Sequence, residues 1–127
     1  MHAKPWLFRL PALALAVAAL TPALGAAQTS DKIRVGMTVS STGSFALASQ
    51  SGVRGVELWV DDVNRRGGIE VKGKKYPVEL VKLDDRSDKQ MVTRVYERLI
   101  VDEKVDLVFA PFGSTLTAAA ATVTERL

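Results

Sequence analysis

The sequence predicts an α/β protein, a three-layer parallel sheet with its elements in βαβαβα order. Three observations carry that class. Apolar residues alternate in the run Ile33 to Val39, the period of a strand. Two later stretches, Val53 to Val63 and Met91 to Ile100, carry apolar residues at three-four spacing, the period of a helix. The connections are short and polar, and strands alternating with helices this way form a parallel sheet covered by helices.

The first strand is marked by Ile33, Val35, Met37 and Val39, separated by Arg34, Gly36 and Thr38. The loop Ser40-Ser41-Thr42-Gly43-Ser44 follows, and from about Phe45 the pattern turns helical. Val53, Val56, Val60 and Val63 share one face, with Trp59 beside them. Asn64-Arg65-Arg66-Gly67-Gly68 ends the helix, with cations in the last turn and glycine beyond. Lys72-Gly73-Lys74-Lys75 reads as an exposed turn, a solvated tip rather than a binding patch. Pro77 opens the second strand, Val78 to Leu83, which Asp84-Asp85-Arg86-Ser87-Asp88 closes. Ser87 or Asp88 is placed to cap the next helix, Lys89 to about Asp102, which buries Met91, Val92, Val95, Leu99 and Ile100. Val105 to Ala110 is the third strand, and Leu116 to Leu127 the third helix.

Residues 1–27 differ in kind from the rest. Lys4 and Arg9 form a basic start, Leu10 to Leu24 is apolar, and Gly25-Ala26-Ala27 supplies small residues. This is the pattern of a secretory signal peptide, cleaved near Ala27, and the run is short and proline-broken for a membrane span. Its removal takes two cations and no acid, leaving 15 cations against 14 acids. Residues 28–127 therefore have no basic field for nucleic acid or an anionic membrane. Removal also takes His2, the one histidine, and the chain has no cysteine. A Ser-His-Asp triad, a cysteine nucleophile and the usual zinc sites are thereby excluded from residues 28–127.

In a sheet of this kind, ligands bind beyond the carboxyl ends of the strands. Three loops lie at that edge: Ser40–Ser44, Asp84–Asp88 and Pro111–Thr115. The third is the most informative, because Gly113, Ser114 and Thr115 sit where a strand hands over to a helix N-terminus. Unpaired N–H groups and the positive end of the helix dipole suit that corner to an anion. Ser114 or Thr115 also has the chemistry of a helix cap, and the two roles are compatible. Asp84-Asp85 reads as capping, or as ion pairing with Arg86 or Lys89, rather than as a metal site. Neither G-x-G-x-x-G nor G-x-x-x-x-G-K-[ST] is present, which argues against dinucleotides and nucleoside triphosphates. Phe112-Gly113-Ser114-Thr115-Leu116 lacks the second glycine of a nucleophile elbow.

Three segments together resemble a known family: VELWVDDVNRRGGI (Val56–Ile69), VELVKLDDRSD (Val78–Asp88) and VDLVFAPFGSTLT (Val105–Thr117). They resemble the periplasmic substrate-binding proteins of ABC transporters, in the leucine/isoleucine/valine-binding group with the type I periplasmic binding fold. The resemblance implies two α/β lobes joined by a hinge, with the ligand held between them. It implies that Ser114, with Thr115 and Gly113 beside it, receives the carboxylate of an amino acid or similar small ligand. It also implies that the first loop, about Thr42 to Ala48, lines the cleft. Some relatives carry an aromatic residue near the position of Ala48; here Phe45 lies three residues earlier. On this reading residues 28–127 are part of the first lobe, and the hinge and second lobe are missing from the chain. The implied partners are the ligand and an inner-membrane ABC permease, with no cofactor and no enzymatic chemistry. The same fold also serves as the sensor part of receptors and regulators, and an exported α/β hydrolase is the third reading.

Overall fold

A computed structural model describes residues 31–127, and the signal-peptide assignment to residues 1–27 lies outside the described residues. Strand β1 (Ile33–Val39) leads to helix α1 (Ala46–Arg65). A hairpin of β2 (Ile69–Val71) and β3 (Lys74–Tyr76) follows. Strand β4 (Val78–Asp84), helix α2 (Lys89–Val101), strand β5 (Leu107–Val108) and helix α3 (Gly113–Thr124) complete the order. The main sheet runs β4-β1-β5, all parallel, so the first strand in sequence is the central one.

Centrality explains the burial of β1. Val35, Gly36, Met37 and Thr38 are buried in succession, because both faces of the strand are covered. Below one face, Val35 and Val78 pack with Val60 and Val63 of α1. Above the other, Val92 and Tyr96 of α2 pack with Leu116, Ala120 and Val123 of α3. Gly36 leaves room there: a Cβ at that position would lie 3.1 Å from the side chains of both Leu99 and Val105, which would have to shift. Of the apolar faces expected of α1 and α2, Val60, Val63, Val92, Val95 and Leu99 are buried, Val53, Val56, Met91 and Ile100 are half-buried, and Tyr96 joins the stripe.

The end of α1 explains why Asn64-Arg65-Arg66-Gly67-Gly68 stops the helix. The Gly67 N–H donates to the Asn64 carbonyl and the Gly68 N–H to the Val63 carbonyl, both at 2.9 Å. This double closure is the Schellman motif, and Gly67 has the positive φ (95°) it requires. The Asn64 side chain then takes both main-chain groups of Val78, donating to its carbonyl at 2.8 Å and accepting from its N–H at 2.7 Å. One side chain thus pins the end of α1 to the start of β4.

Two expectations need correction. Lys72-Gly73-Lys74-Lys75 is not all turn: Lys72 and Gly73, with φ of 50° and 81°, make the turn, and Lys74 to Tyr76 forms a strand paired with Ile69 to Val71. Two consecutive residues with positive φ suit a tight two-residue hairpin, whose three-residue strands are too short for alternation to announce. The third strand is shorter than Val105 to Ala110. At its start the Asp106 side chain, not a carbonyl, accepts the Arg34 N–H at 2.8 Å. At its end comes Pro111, which has no N–H to donate. Helix α3 correspondingly begins at Gly113 rather than Leu116.

Candidate functional site

The three loops at the carboxyl edge of the sheet are built in two different ways. The first and second are lashed together. Asp85, fully buried, accepts from the hydroxyls of Thr38 and Ser40 at 2.7 Å each and from the Ser87 N–H at 2.9 Å. Asp84 accepts from the N–H groups of Ser41 (3.0 Å) and Arg86 (2.9 Å) and from the Thr42 hydroxyl (3.2 Å). The Ser87 hydroxyl donates to the Thr42 carbonyl at 2.7 Å and accepts from the Phe45 N–H at 3.0 Å. Burial pushes the Asp84 pKa up, but the bonds from Arg86, Ser41 and Thr42, with the Arg86 charge, outweigh it and hold it below the usual value.

The adjacent carboxylates therefore close their own turn and grip the neighbouring loop. The expected ion pair with Arg86 or Lys89 does not form among the described residues: Arg86 meets Asp84 through its backbone N–H, and neither acid is in a salt bridge. Among the described residues no cluster of three or more His, Cys, Asp or Glu could hold a metal ion. Asp88 caps α2, accepting from the Met91 N–H at 2.8 Å, which decides between Ser87 and Asp88.

The third loop is open. The reading of Ser114 or Thr115 as a helix cap is overturned, because both lie inside the first turn of α3 and no side chain caps the helix. Phe112 occupies the cap position with extended backbone (φ −67°, ψ 125°), and Gly113 follows with φ 77°. Thr117 turns its hydroxyl back onto the carbonyls of Gly113 (2.9 Å) and Pro111 (3.3 Å). The N–H groups and hydroxyls of Ser114 and Thr115 are exposed and make no hydrogen bond among the described residues. No acidic residue stands in that first turn. The corner is a set of unspent donors at the positive end of a helix, the arrangement that receives a carboxylate.

Of the other candidate residues, Phe45 comes to this corner and Ala48 stands apart. The Phe45 ring lies 5.6 Å from that of Phe112, tilted by 52°, and joins the first loop to the third. Ala48 is exposed in the first turn of α1, one residue before buried Ser49. A cavity of about 250 Å³ lies between α1 and the third loop, with Ser49, Gly52, Val53, Phe109, Phe112 and Gly113 among its walls. Tyr96 was not singled out by the sequence, yet its buried hydroxyl donates to the Phe109 carbonyl and ties α2 to the third loop. Burial, and then the charge of Asp85, raises its pKa. Phe112 was also passed over; an aromatic before Gly-Ser-Thr is a weak signal until a partner ring is seen.

Parallel sheet, covering helices and an open helix N-terminus at the carboxyl edge define an α/β fold with its ligand edge exposed. Residues 32–126 match the family model described as periplasmic binding protein, and the chain belongs to that family. It is 35% identical over 113 residues to Leu/Ile/Val-binding protein homolog 7 of Brucella abortus, covering 89% of this chain and 27% of that protein. Among solved structures it is similar to the branched-chain amino acid transporter substrate binding protein LivJ of Streptococcus pneumoniae in complex with isoleucine. That likeness has a TM-score of 0.68 and 30% identity, over 75% of this chain and 26% of the other. It is also similar to a solute binding protein of an ABC transporter from Rhodopseudomonas palustris in complex with 3,4-dihydroxybenzoic acid. There the TM-score is 0.60 with 29% identity, over 76% of this chain and 25% of the other. The chain thus spans about a quarter of the length of these relatives.

Proposed function

We propose that the chain supplies one jaw of an exported solute-binding protein, which captures a small carboxylate in the periplasm and delivers it to an ABC permease. The observation that carries this reading is the uncapped start of α3. Ser114, Thr115 and the Gly113 N–H present donors that nothing else in the described residues uses. The ligand carboxylate takes those donors, with Phe45 and Phe112 forming an apolar wall beside it and Ala48 leaving space on α1. The ligands named for the relatives, isoleucine and 3,4-dihydroxybenzoic acid, share a carboxylate and differ in the rest, which supports the carboxylate as the recognised group. Branched-chain amino acids are the first choice, given the Leu/Ile/Val-binding relatives. No covalent step is involved, and the chain acts as a carrier and not as an enzyme. Residues 1–27 direct export.

The test is titration of the ¹⁵N-labelled protein with isoleucine, leucine, valine and benzoate, followed by amide shifts. The amides of Gly113, Ser114 and Thr115 move with at least one of these ligands. Ser114→Ala weakens the responding ligand about tenfold, the scale of one charge-assisted hydrogen bond, roughly 1.5–3 kcal/mol. No movement at these three amides with any carboxylate, or an unchanged affinity in Ser114→Ala, overturns the assignment.

A further inference from the structure

We propose that Asp85 is a positioning residue of this site, a buried carboxylate that sets the Phe112–Gly113 corner from the neighbouring βα unit. The inference deepens the proposed function and rests on it only for its ligand arm. Asp85 is 0% exposed, and burial of a carboxylate is costly unless its lone pairs are filled. They are filled by three donors from three places: Thr38 on β1, Ser40 at the start of the first loop, and Ser87 on its own turn. No cation is paired with it among the described residues, so hydrogen bonds alone hold it.

From Asp85 the contacts continue without a gap to the open corner. The carboxylate orients Ser87 by its N–H, and the Ser87 hydroxyl fixes the Thr42 carbonyl and receives the Phe45 N–H. Phe45 so placed rests its ring on Phe112, 5.6 Å away, and Phe112 is the residue from which α3 starts. The loops leave no slack for another route. Gly43 has φ 84°, and a Cβ there would stand 2.4 Å from the Arg86 carbonyl, so the first loop is seated directly on the second. The Tyr96 hydroxyl of α2 also holds the Phe109 carbonyl, three residues before Phe112. The Thr117 hydroxyl ties the third loop to its own helix, and the Phe45–Phe112 contact sets it against the first loop.

The experiment compares Asp85→Asn and Ser87→Ala with the unaltered chain by NMR, first without ligand and then with the carboxylate that responds. Asparagine keeps the size of aspartate but can accept at only one atom. Ser87→Ala leaves the buried carboxylate intact and removes only the tether to Thr42 and Phe45. Without ligand, both variants weaken the nuclear Overhauser contact between the Phe45 and Phe112 rings and shift the amides of Gly113 and Ser114. The β2–β3 hairpin, which shares none of these bonds, keeps its shifts. With ligand, Asp85→Asn binds several-fold more weakly at matched folded fraction, because the donors at Gly113 and Ser114 are no longer held in place. Changes confined to residues touching the carboxylate, with the ring contact retained, overturn the proposal. If Asp85→Asn does not fold, Ser87→Ala decides by the same ring contact. If the unaltered chain answers no carboxylate, the proposed function falls, and the ring contact still decides the role of Asp85.

Discussion

The second and third loops at the carboxyl edge of the sheet are opposites in how they use their polar groups. Asp84 to Ser87 spends nearly all of them internally, on the first loop, on its own turn and on β1. Gly113 to Thr115 spends none of its N–H and hydroxyl donors on the rest of the described residues. The difference is a division of labour. A buried polar group must be matched, so the loop carrying full charges became the frame. An exposed helix start is satisfied by water, so the uncharged donors of the third loop stay free for the carboxylate proposed above.

The glycines of the two regions give the largest test of that contrast. Gly43 and Gly113 both have positive φ, 84° and 77°. A Cβ on Gly43 would collide with the Arg86 carbonyl at 2.4 Å, whereas a Cβ on Gly113 meets nothing within 4 Å. Gly43→Ala carries both the backbone penalty and a forced separation of two lashed loops, about 3 kcal/mol in all. Gly113→Ala carries the backbone term alone, about 1 kcal/mol. Urea denaturation of both variants measures the gap. Equal losses would mean that the first loop is not seated on the second.

How far the sequence reveals this division depends on the range of the interactions. Strand and helix periods are local, so β1, α1, β4 and α2 are legible from Ile33 to Val101. The ends of helices are legible where a local motif sets them, as Gly67-Gly68 does for α1. The corner at Gly113-Ser114-Thr115 is legible as a strand-to-helix handover, but its cap is not, since Thr117 rather than Ser114 or Thr115 turns back on the loop. The role of Asp85 is not legible at all. Its partners Thr38 and Ser40 lie 47 and 45 residues away, and no local pattern predicts which chain a buried carboxylate will meet. Nor is the meeting of Phe45 with Phe112, which depends on two loops closing over α2 and α3.

A smaller effect separates the frame from the open corner by pH. The hydrogen bonds and the Arg86 charge that hold the Asp84 pKa down exist only in the folded protein. A depressed folded pKa stabilises at pH above the unfolded aspartate value, about 3.9, and that contribution is lost as pH falls through the folded value. The stability difference between the protein and Asp84→Asn is therefore full near neutrality and shrinks as pH falls from about 5 to about 2. Thermal melts of both proteins across that range check it. A difference that grows on acidification would contradict the depressed pKa.

The smallest expected effect is the most discriminating. The hydroxyls of Ser114 and Thr115 make no hydrogen bond among the described residues, and both residues are exposed. Removing either hydroxyl leaves no buried group unmatched, so Ser114→Ala alters folding stability by no more than about 0.5 kcal/mol. Alanine is also the best helix former, which offsets any small loss in the first turn of α3. A capping serine would instead cost about 1 kcal/mol on removal. Denaturation of Ser114→Ala thus checks the uncapped start of α3 beside the ligand role proposed for this hydroxyl. Unchanged stability together with weakened carboxylate binding assigns its hydroxyl to the ligand. Loss of about 1 kcal/mol without a change in binding would contradict both the uncapped start of α3 and the ligand role.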